Sequence, residues 1–132
     1  MNIILITGGS KGIGKALATK YASEKYNVYS LARSSSELEN VTNILVDLSN
    51  LSETENIFTS LLKELTSTII TSITLINNAG RIGKISNLES LKANDITKTI
   101  QLNTTTPLVL SGLFIKLTKH LTCKQQIITI SS

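Results

Sequence analysis

Five short apolar runs constrain the fold of this chain more than any other feature of its sequence. They lie at residues 2–6, 27–32, 41–46, 73–76 and 126–130. Their apolar residues are mostly continuous rather than alternating with polar ones, which is typical of strands buried on both faces. Helical periodicity occupies most of the intervening sequence, at residues 12–25, 50–65 and 92–120, the last in two pieces divided near 103–107.

Strands connected through helices run parallel, so the pattern predicts an α/β fold, a doubly wound parallel sheet covered on both faces. In such sheets ligands bind beyond the carboxyl ends of the strands. The chain stops two residues after the fifth run. Because a parallel strand at this place leads into another helix and strand, we expect residues 1–132 to form the first five strands of a longer domain.

Composition excludes several classes of function. The net charge of +4 comes from scattered basic residues, and only 4% of residues are aromatic, which disfavours nucleic-acid binding. No apolar run approaches the length of about 20 residues that a bilayer span needs. One cysteine, Cys123, excludes a disulfide framework and a cysteine-built metal site, and predicts a reducing, cytoplasmic setting.

A glycine-rich loop, Thr7-Gly8-Gly9-Ser10-Lys11-Gly12-Ile13-Gly14, follows the first apolar run and opens the first helical segment. Gly8 permits a tight turn, Gly12 lets the backbone approach a pyrophosphate, and Gly14 lets the helix pack against the strand. Free N–H groups at the helix start would then face the anion. The context predicts a nucleotide-binding loop, and a tight turn without a ligand is the alternative.

Two kinds of phosphate-binding loop compete for this segment. A P-loop would use Gly9, Gly14 and Lys15, but Ala16 lacks the hydroxyl group that should hold Mg²⁺. A dinucleotide fold uses a related glycine pattern, and the spacing here is Gly8-x-x-x-Gly12-x-Gly14. The missing hydroxyl favours the dinucleotide fold.

Four motifs in order resemble the short-chain dehydrogenase/reductase family over the whole chain. They are Thr7-Gly8-x-x-x-Gly12-x-Gly14, Asn77-Asn78-Ala79-Gly80, Asn103 and Ile130-Ser131-Ser132. The resemblance implies a Rossmann-like fold and a nicotinamide cofactor held by residues of the glycine loop, including Ile13, and by Asn77, Asn78, Ala79 and Gly80 near its central ribose. Residues 75–80 and 101–107 most resemble the sepiapterin/benzil-reductase-like branch of that family.

Charge after the second strand bears on which cofactor binds. NAD-preferring sites end this strand with Asp or Glu, whereas here Ala32 is followed by Arg33. A guanidinium group pairs with a ribose 2′-phosphate. Lys11 is a second cation near that position, and Ser10 and Ser34 add hydroxyl donors. We therefore expect NADP(H) to be preferred over NAD(H).

Two further places have alternative roles. Asp47-Leu48, after the third strand, resembles the family's adenine-contacting pair, while Asp47 could equally cap the following helix, as could Ser49 or Asn50. Arg81 and Lys84 lie in the loop after the fourth strand. We expect solvated charge there, and contact with the substrate is the alternative.

The resemblance also implies a catalytic set of tyrosine, lysine, serine and asparagine. It assigns the asparagine to Asn103 and the serine to Ser132 rather than Ser131, although Asn103 could instead cap a helix restarting near Pro107. The Tyr-x-x-x-Lys pair is expected about a dozen residues after the serine, so we expect it to be absent from residues 1–132. We expect none of Tyr21, Tyr26 and Tyr29 to replace it.

The sequence therefore predicts the cofactor-binding part of an NADP(H)-dependent oxidoreductase that transfers hydride between the nicotinamide and a ketone or alcohol. A non-catalytic NADP-binding remnant is the alternative, and a P-loop protein is a weaker one. The expected partner is a small carbonyl or alcohol substrate, with no metal, nucleic acid or membrane. An apolar parallel strand at a sheet edge also favours self-association, so we expect poor solubility or a homo-oligomer.

Overall fold

A computed structural model describes residues 1–131 and shows one sheet of five parallel strands. The strands are β1 (Asn2–Thr7), β2 (Asn27–Ala32), β3 (Val41–Leu45), β4 (Ser72–Asn77) and β5 (Lys124–Thr129). Their order across the sheet is β3-β2-β1-β4-β5. At the centre, Leu5 of β1 is in register with Tyr29 of β2 and with Leu75 of β4. The parallel α/β sheet predicted from the sequence is confirmed.

Helices connect most of these strands. They are α1 (Gly12–Ser23), α2 (Leu51–Thr66), α3 (Ala93–Ile100) and α4 (Thr106–Thr118), with a short 3₁₀ turn at Leu88–Ser90. A π-helical segment, Gln101–Thr105, joins α3 to α4. The predicted division near residues 103–107 is therefore a change of helical register, and the chain remains helical where a break and restart were expected.

Alternation along β1 divides the apolar residues between two faces of the sheet. Ile3 and Leu5 face a core shared with α2 and α4, which includes Phe58 and Phe114. Ile4 and Ile6 face a smaller core shared with α1. All four β1 side chains are at most 1% exposed, so both faces of the central strand are covered.

The connection between β2 and β3, residues 33–40, contains no helix. Glu37 and Asn40 take left-handed backbone conformations within it. Ser36 is buried, and its N–H and hydroxyl groups both donate to Oδ1 of Asn43 in β3, at 3.1 Å each. This anchor holds the segment that begins with Arg33 and Ser34 against the sheet.

Among residues 1–131, no helix is both long and apolar enough to span a bilayer.

Candidate cofactor-binding site

A cleft of about 420 Å³ opens beyond the carboxyl ends of β1 to β4. It is lined by Gly8, Ser10, Lys11, Gly12, Ala32, Arg33, Ser34, Asp47, Leu48, Ser49, Asn78, Ala79, Gly80, Arg81 and Leu102. The lining includes most of the cofactor-binding residues predicted from the sequence. It lies where the chain order reverses across the sheet, between β1 and β4, which is the place where parallel α/β sheets bind ligands.

Glycine conformation shapes the floor of the cleft. Gly8 and Gly12 have φ angles of +71° and +53°, which side chains on L-residues rarely tolerate. A Cβ atom on Gly14 would overlap the carbonyl oxygen of Gly8 and the side-chain amide of Asn78. The loop can therefore wrap closely around the start of α1, and no side chain on Gly12 fills the space above it.

The N-terminus of α1 differs from that of α2. Asn50 caps α2, since its Oδ1 accepts a hydrogen bond from the N–H of Glu53 at 3.1 Å. Lys11 occupies the same position at α1, and no side chain of the described residues caps this helix or adds an acid to its first turn. The first N–H groups of a helix carry partial positive charge, so this end suits an anionic ligand.

Hydrogen bonds tie the glycine loop to the loop after β4. The hydroxyl of Thr7, which is buried, accepts hydrogen bonds from the N–H groups of Asn78 and Ala79 at 3.0 Å each. The side-chain amide of Asn78 donates to the carbonyl oxygens of Thr7 and Gly8 at 3.1 Å each. Thr7 and Asn78 thus brace the two loops that form the centre of the cleft.

The cations and hydroxyl groups predicted to favour a 2′-phosphate lie together in the structure. Lys11 and Arg33 both line the cleft. The hydroxyl of Ser34 donates to Oγ of Ser10 at 3.2 Å, which links the β2 end to the glycine loop. The position at which NAD-preferring sites place an acidic side chain holds Ala32, which is buried.

Asp47 accepts hydrogen bonds from Ser49 and does not cap α2. Its Oδ1 accepts hydrogen bonds from the hydroxyl of Ser49 at 2.6 Å and from the N–H of Ser49 at 3.0 Å. These two bonds, assisted by the charges of Arg33 and Lys98, hold the pKa of Asp47 below its ordinary value. Because Asn50 caps α2, the helix-capping alternative for Asp47 is wrong.

The π-helical segment and the start of α4 anchor the turn after β3. The side chain of Gln101 donates to the carbonyl oxygen of Ser49. The buried hydroxyl of Thr106 donates to the carbonyl oxygen of Leu48 at 2.9 Å. Leu102, between them in sequence, lines the cleft. A π-helical turn is a common feature of functional sites, and here it directs neighbouring residues to different loops.

Asn103 holds the loop after β4 by both of its side-chain groups. Its Oδ1 accepts from the N–H of Arg81 at 2.8 Å, and its Nδ2 donates to the carbonyl oxygen of Arg81 at 2.7 Å. The guanidinium of Arg81 forms an ion pair with Asp95 of α3. Arg81 is exposed, as expected for a solvated loop charge, and its guanidinium is paired with Asp95 rather than free.

Some predicted cofactor residues lie outside the lining of the cleft. Ile13, in the first turn of α1, has 63% of its surface exposed. Asn77 is buried at the end of β4, and its Nδ2 donates to the hydroxyl of Ser111 in α4 at 3.1 Å. Thr7 and Gly14 lie beneath the lining residues and support them, Thr7 through its hydrogen bonds to Asn78 and Ala79 and Gly14 through its close packing on Gly8. Ser132, the predicted catalytic serine, lies outside the described residues.

Contrary to the expectation, the sequence contains one Tyr-x-x-x-Lys spacing, because Lys25 follows Tyr21 by four positions. Tyr21 packs against Tyr26 in the smaller core, with ring centroids 5.1 Å apart. Lys25 lines a groove at the amino-terminal start of β2 and β3, opposite the cleft. This tyrosine and lysine therefore do not join the site.

Comparison with known proteins decides the family. The sequence profile described as short chain dehydrogenase matches residues 2–132. The chain belongs to the short-chain dehydrogenase family. A benzil reductase ((S)-benzoin forming) from Bacillus subtilis is 34% identical over all of this chain and 55% of its own length. Membership of this family does not favour the P-loop alternative.

Solved structures that share this architecture include complexes with nicotinamide cofactors. A 4-hydroxyisoleucine dehydrogenase in complex with NADH matches all of this chain and 56% of its own, with a TM-score of 0.85 and 30% identity. ElxO with NADP bound matches 99% of this chain and 55% of its own, with a TM-score of 0.78 and 26% identity. The chain spans about half the length of the curated relatives it matches.

Sequence reasoning did not assign Ser49, Leu102 or Gly9 to the cofactor site. Ser49 and Leu102 line the cleft, and Gly9 lies so close to Ser30 of β2 that a Cβ atom would overlap its hydroxyl group. Ser49 could have been assigned to the site from its position directly after Asp47-Leu48. Leu102 and Gly9 carried no such signal, because their roles depend on contacts between distant segments.

Proposed function

We propose that the cleft binds NADP(H) and that the protein it belongs to is an oxidoreductase acting on a ketone or alcohol. The uncapped N-terminus of α1, flanked by Lys11 and Arg33, is the observation that carries the proposal. Glycines leave room above this helix end, and two cations and two hydroxyl groups line the same cleft, which supports binding of a 2′-phosphate. The family supplies the reaction class, and its bound relatives include both NADH and NADP complexes.

The residues of the chain divide the work of binding. Gly8, Gly12 and the N–H groups of α1 would hold the pyrophosphate, and Arg33 with Lys11 the 2′-phosphate. Asp47 and Leu48 would border the adenine, while Asn78 and Gly80 would border the nicotinamide half. A bound nicotinamide supplies or accepts the hydride. The similarity to benzil reductase supports a ketone as the substrate.

The proposal gives Asn103 a catalytic part through its main chain. Both groups of its side chain are occupied by Arg81, so a water molecule of a proton relay would bind its backbone. The altered register of the π-helical segment supports this role, since such turns disturb the regular helical hydrogen bonds. Ser132 would complete the part of the site that this sequence supplies. The lone Cys123 supports a cytoplasmic location.

Fluorescence titration with NADPH and NADH tests the cofactor assignment. We expect NADPH to bind at least about tenfold more tightly, because a charged hydrogen bond to the 2′-phosphate is worth about 1.5–3 kcal/mol. Arg33→Ala should remove most of this preference, while Lys15→Ala, outside the cleft, should leave it unchanged. Equal or tighter binding of NADH by the unmodified protein would contradict the proposal.

Turnover by the whole protein to which residues 1–132 belong distinguishes an oxidoreductase from a binding protein, because the Tyr-x-x-x-Lys pair is expected after residue 132. NADPH consumption in the presence of benzil or another ketone would support the oxidoreductase. Binding of NADPH without consumption of any ketone or alcohol tested would favour a non-catalytic NADP-binding protein.

A further inference from the structure

Asp95 bridges two points of the loop after β4. Its Oδ1 pairs with the guanidinium of Arg81, and its Oδ2 accepts a hydrogen bond from the N–H of Lys84 at 3.0 Å. Both oxygens of one carboxylate are thus used on the segment 81–84. The side chains of Arg81 and Asp95 are 36% and 26% exposed, so the pair is partly shielded from solvent.

The loop is also folded closely onto α3. Gly83 has a φ angle of +79°, and a Cβ atom there would lie 2.7 Å from Oγ1 of Thr99, one helical turn after Asp95. The hydroxyl of Thr99 in turn donates to the carbonyl oxygen of Asp95 at 2.8 Å. Gly83 therefore lets the loop reach the carboxylate of Asp95, which a residue with a side chain could not do without strain.

Arg81 is consequently held at three points by one continuous stretch of helix. Asp95 holds its guanidinium, and Asn103 holds its N–H and its carbonyl oxygen. An isolated surface ion pair contributes little to stability. This pair differs because the residue it holds lines the cleft beside Gly80 and is also bonded to Asn103.

The position of Arg81 along the cleft indicates which part of a dinucleotide would depend on this arrangement. Arg33 and Asp47 lie at the end of the cleft next to β2 and β3, and Gly80 and Arg81 lie at the end next to β4. If the adenosine half occupies the first end, the nicotinamide half occupies the second. This step rests on the proposed function.

We propose that Asp95 is a positioning residue that, by holding Arg81 and the N–H of Lys84, keeps the Gly80–Arg81 edge and Asn103 arranged for the nicotinamide half of the cofactor. Asp95 touches neither cofactor nor substrate in this role. Its removal should weaken binding of a whole dinucleotide but not of its adenosine half alone.

Two measurements on Asp95→Asn test this assignment in the full 132-residue chain. Amide hydrogen exchange, followed by NMR, needs no cofactor, and we expect exchange at Arg81 and Lys84 to become about tenfold faster. In fluorescence and calorimetric titrations, we expect NADPH to bind about tenfold more weakly while adenosine 2′,5′-bisphosphate binds within about twofold of the unmodified protein.

Glu24→Gln is the matched control, since Glu24 forms an exposed ion pair with Lys20 away from the cleft. It should change neither measurement. Arg81→Gln is a second variant that removes the guanidinium but leaves the main-chain bonds to Asn103. Like Asp95→Asn, it should weaken binding of NADPH much more than binding of adenosine 2′,5′-bisphosphate.

Equal weakening of both nucleotides, or no change in either, would overturn the positioning role, as would unchanged exchange at Arg81 and Lys84. Failure of the unmodified protein to bind either nucleotide would instead contradict the proposed function. The exchange rates would then still show whether Asp95 holds the loop.

Discussion

At the scale of single residues, Gly14 lies where the carbonyl oxygen of Gly8 and the side-chain amide of Asn78 leave no room for a methyl group. The same two groups form the floor of the cleft. Because Gly14 has no side chain, α1 can pack against them without changing the shape of the site. Gly112, in α4, is also a helical glycine, but apart from its chain neighbours and the backbone of its own helix no atom lies within 4 Å of a Cβ built on it.

Gly14→Ala should therefore lower the free energy of unfolding by about 1–3 kcal/mol, the usual cost of overpacking. Gly112→Ala should raise it by about 0.5–1 kcal/mol, because alanine favours helix. Urea unfolding of both variants measures the difference. A Gly14→Ala protein as stable as the unmodified one would show that the loop relaxes freely.

Folding lowers the pKa of Asp47, which lines the cleft. The hydroxyl of Ser49 is its largest cause and the N–H of Ser49 the next. A carboxyl group whose pKa is lowered by folding stabilises the native state above its ordinary pKa, and this contribution is lost as the pH falls through the lowered value.

Ser49→Ala removes the hydroxyl donor, so we expect the pKa of Asp47 to rise toward its ordinary value near 3.8. The stability of the variant should then fall less steeply than that of the unmodified protein below about pH 5. Carboxyl-carbon NMR titration measures the pKa, and urea unfolding across this range measures the stability. Ser52→Ala, in exposed α2 sequence, is the control, and an unmoved Asp47 pKa in Ser49→Ala would refute the assignment.

At the scale of elements, the π-helical segment acts as a junction between loops. Gln101 and Thr106 reach the turn after β3, and Asn103 reaches the loop after β4. The side chains that make these contacts are close in sequence but point toward different loops, because the π-helical turn alters the helical register. The edges of the cleft thus depend on one stretch of helix.

Thr106→Val keeps the side-chain shape but leaves the carbonyl oxygen of Leu48 without the buried hydroxyl donor. We expect the free energy of unfolding to fall by about 1–2 kcal/mol. Thr104→Val, at an exposed position of the adjoining π-helical segment, should change it by less than about 0.5 kcal/mol. Denaturant unfolding compares the two, and equal effects would show that the bond to Leu48 contributes nothing specific.

At the scale of the whole molecule, β5 pairs with β4 on one side and has no second neighbour among residues 1–131. Ile127 and Ile128 are half-buried at this edge. An open parallel edge with apolar side chains is a template for association with another chain.

We therefore expect the 132-residue chain to be poorly soluble or oligomeric. Light scattering coupled to gel filtration measures its mass in solution, and Ile128→Lys at the edge should reduce association if β5 is responsible. A monodisperse monomer with a cooperative thermal transition would refute the expectation.

Much of the fold and part of the cleft could be predicted from residue order. Buried strands need continuous apolar runs, so residues 2–6 and 73–76 identified β1 and β4 closely. The glycine spacing and Asn77-Asn78-Ala79-Gly80 indicated which strand ends meet. Arg81 could not be assigned in this way, because its partners Asp95 and Asn103 become neighbours only when α3 folds over the loop.

The sequence by itself determined the parallel sheet, the glycine loop and the family, because these depend on local periodicity and on short motifs. Only the tertiary structure decided that Asn50 rather than Asp47 caps α2, that Tyr21 and Lys25 lie opposite the cleft, and that Asn103 is bound to Arg81. The physical reason is that hydrogen bonds and ion pairs between distant segments depend on packing, and spacing along the chain does not encode which of several donors or acceptors will be brought together.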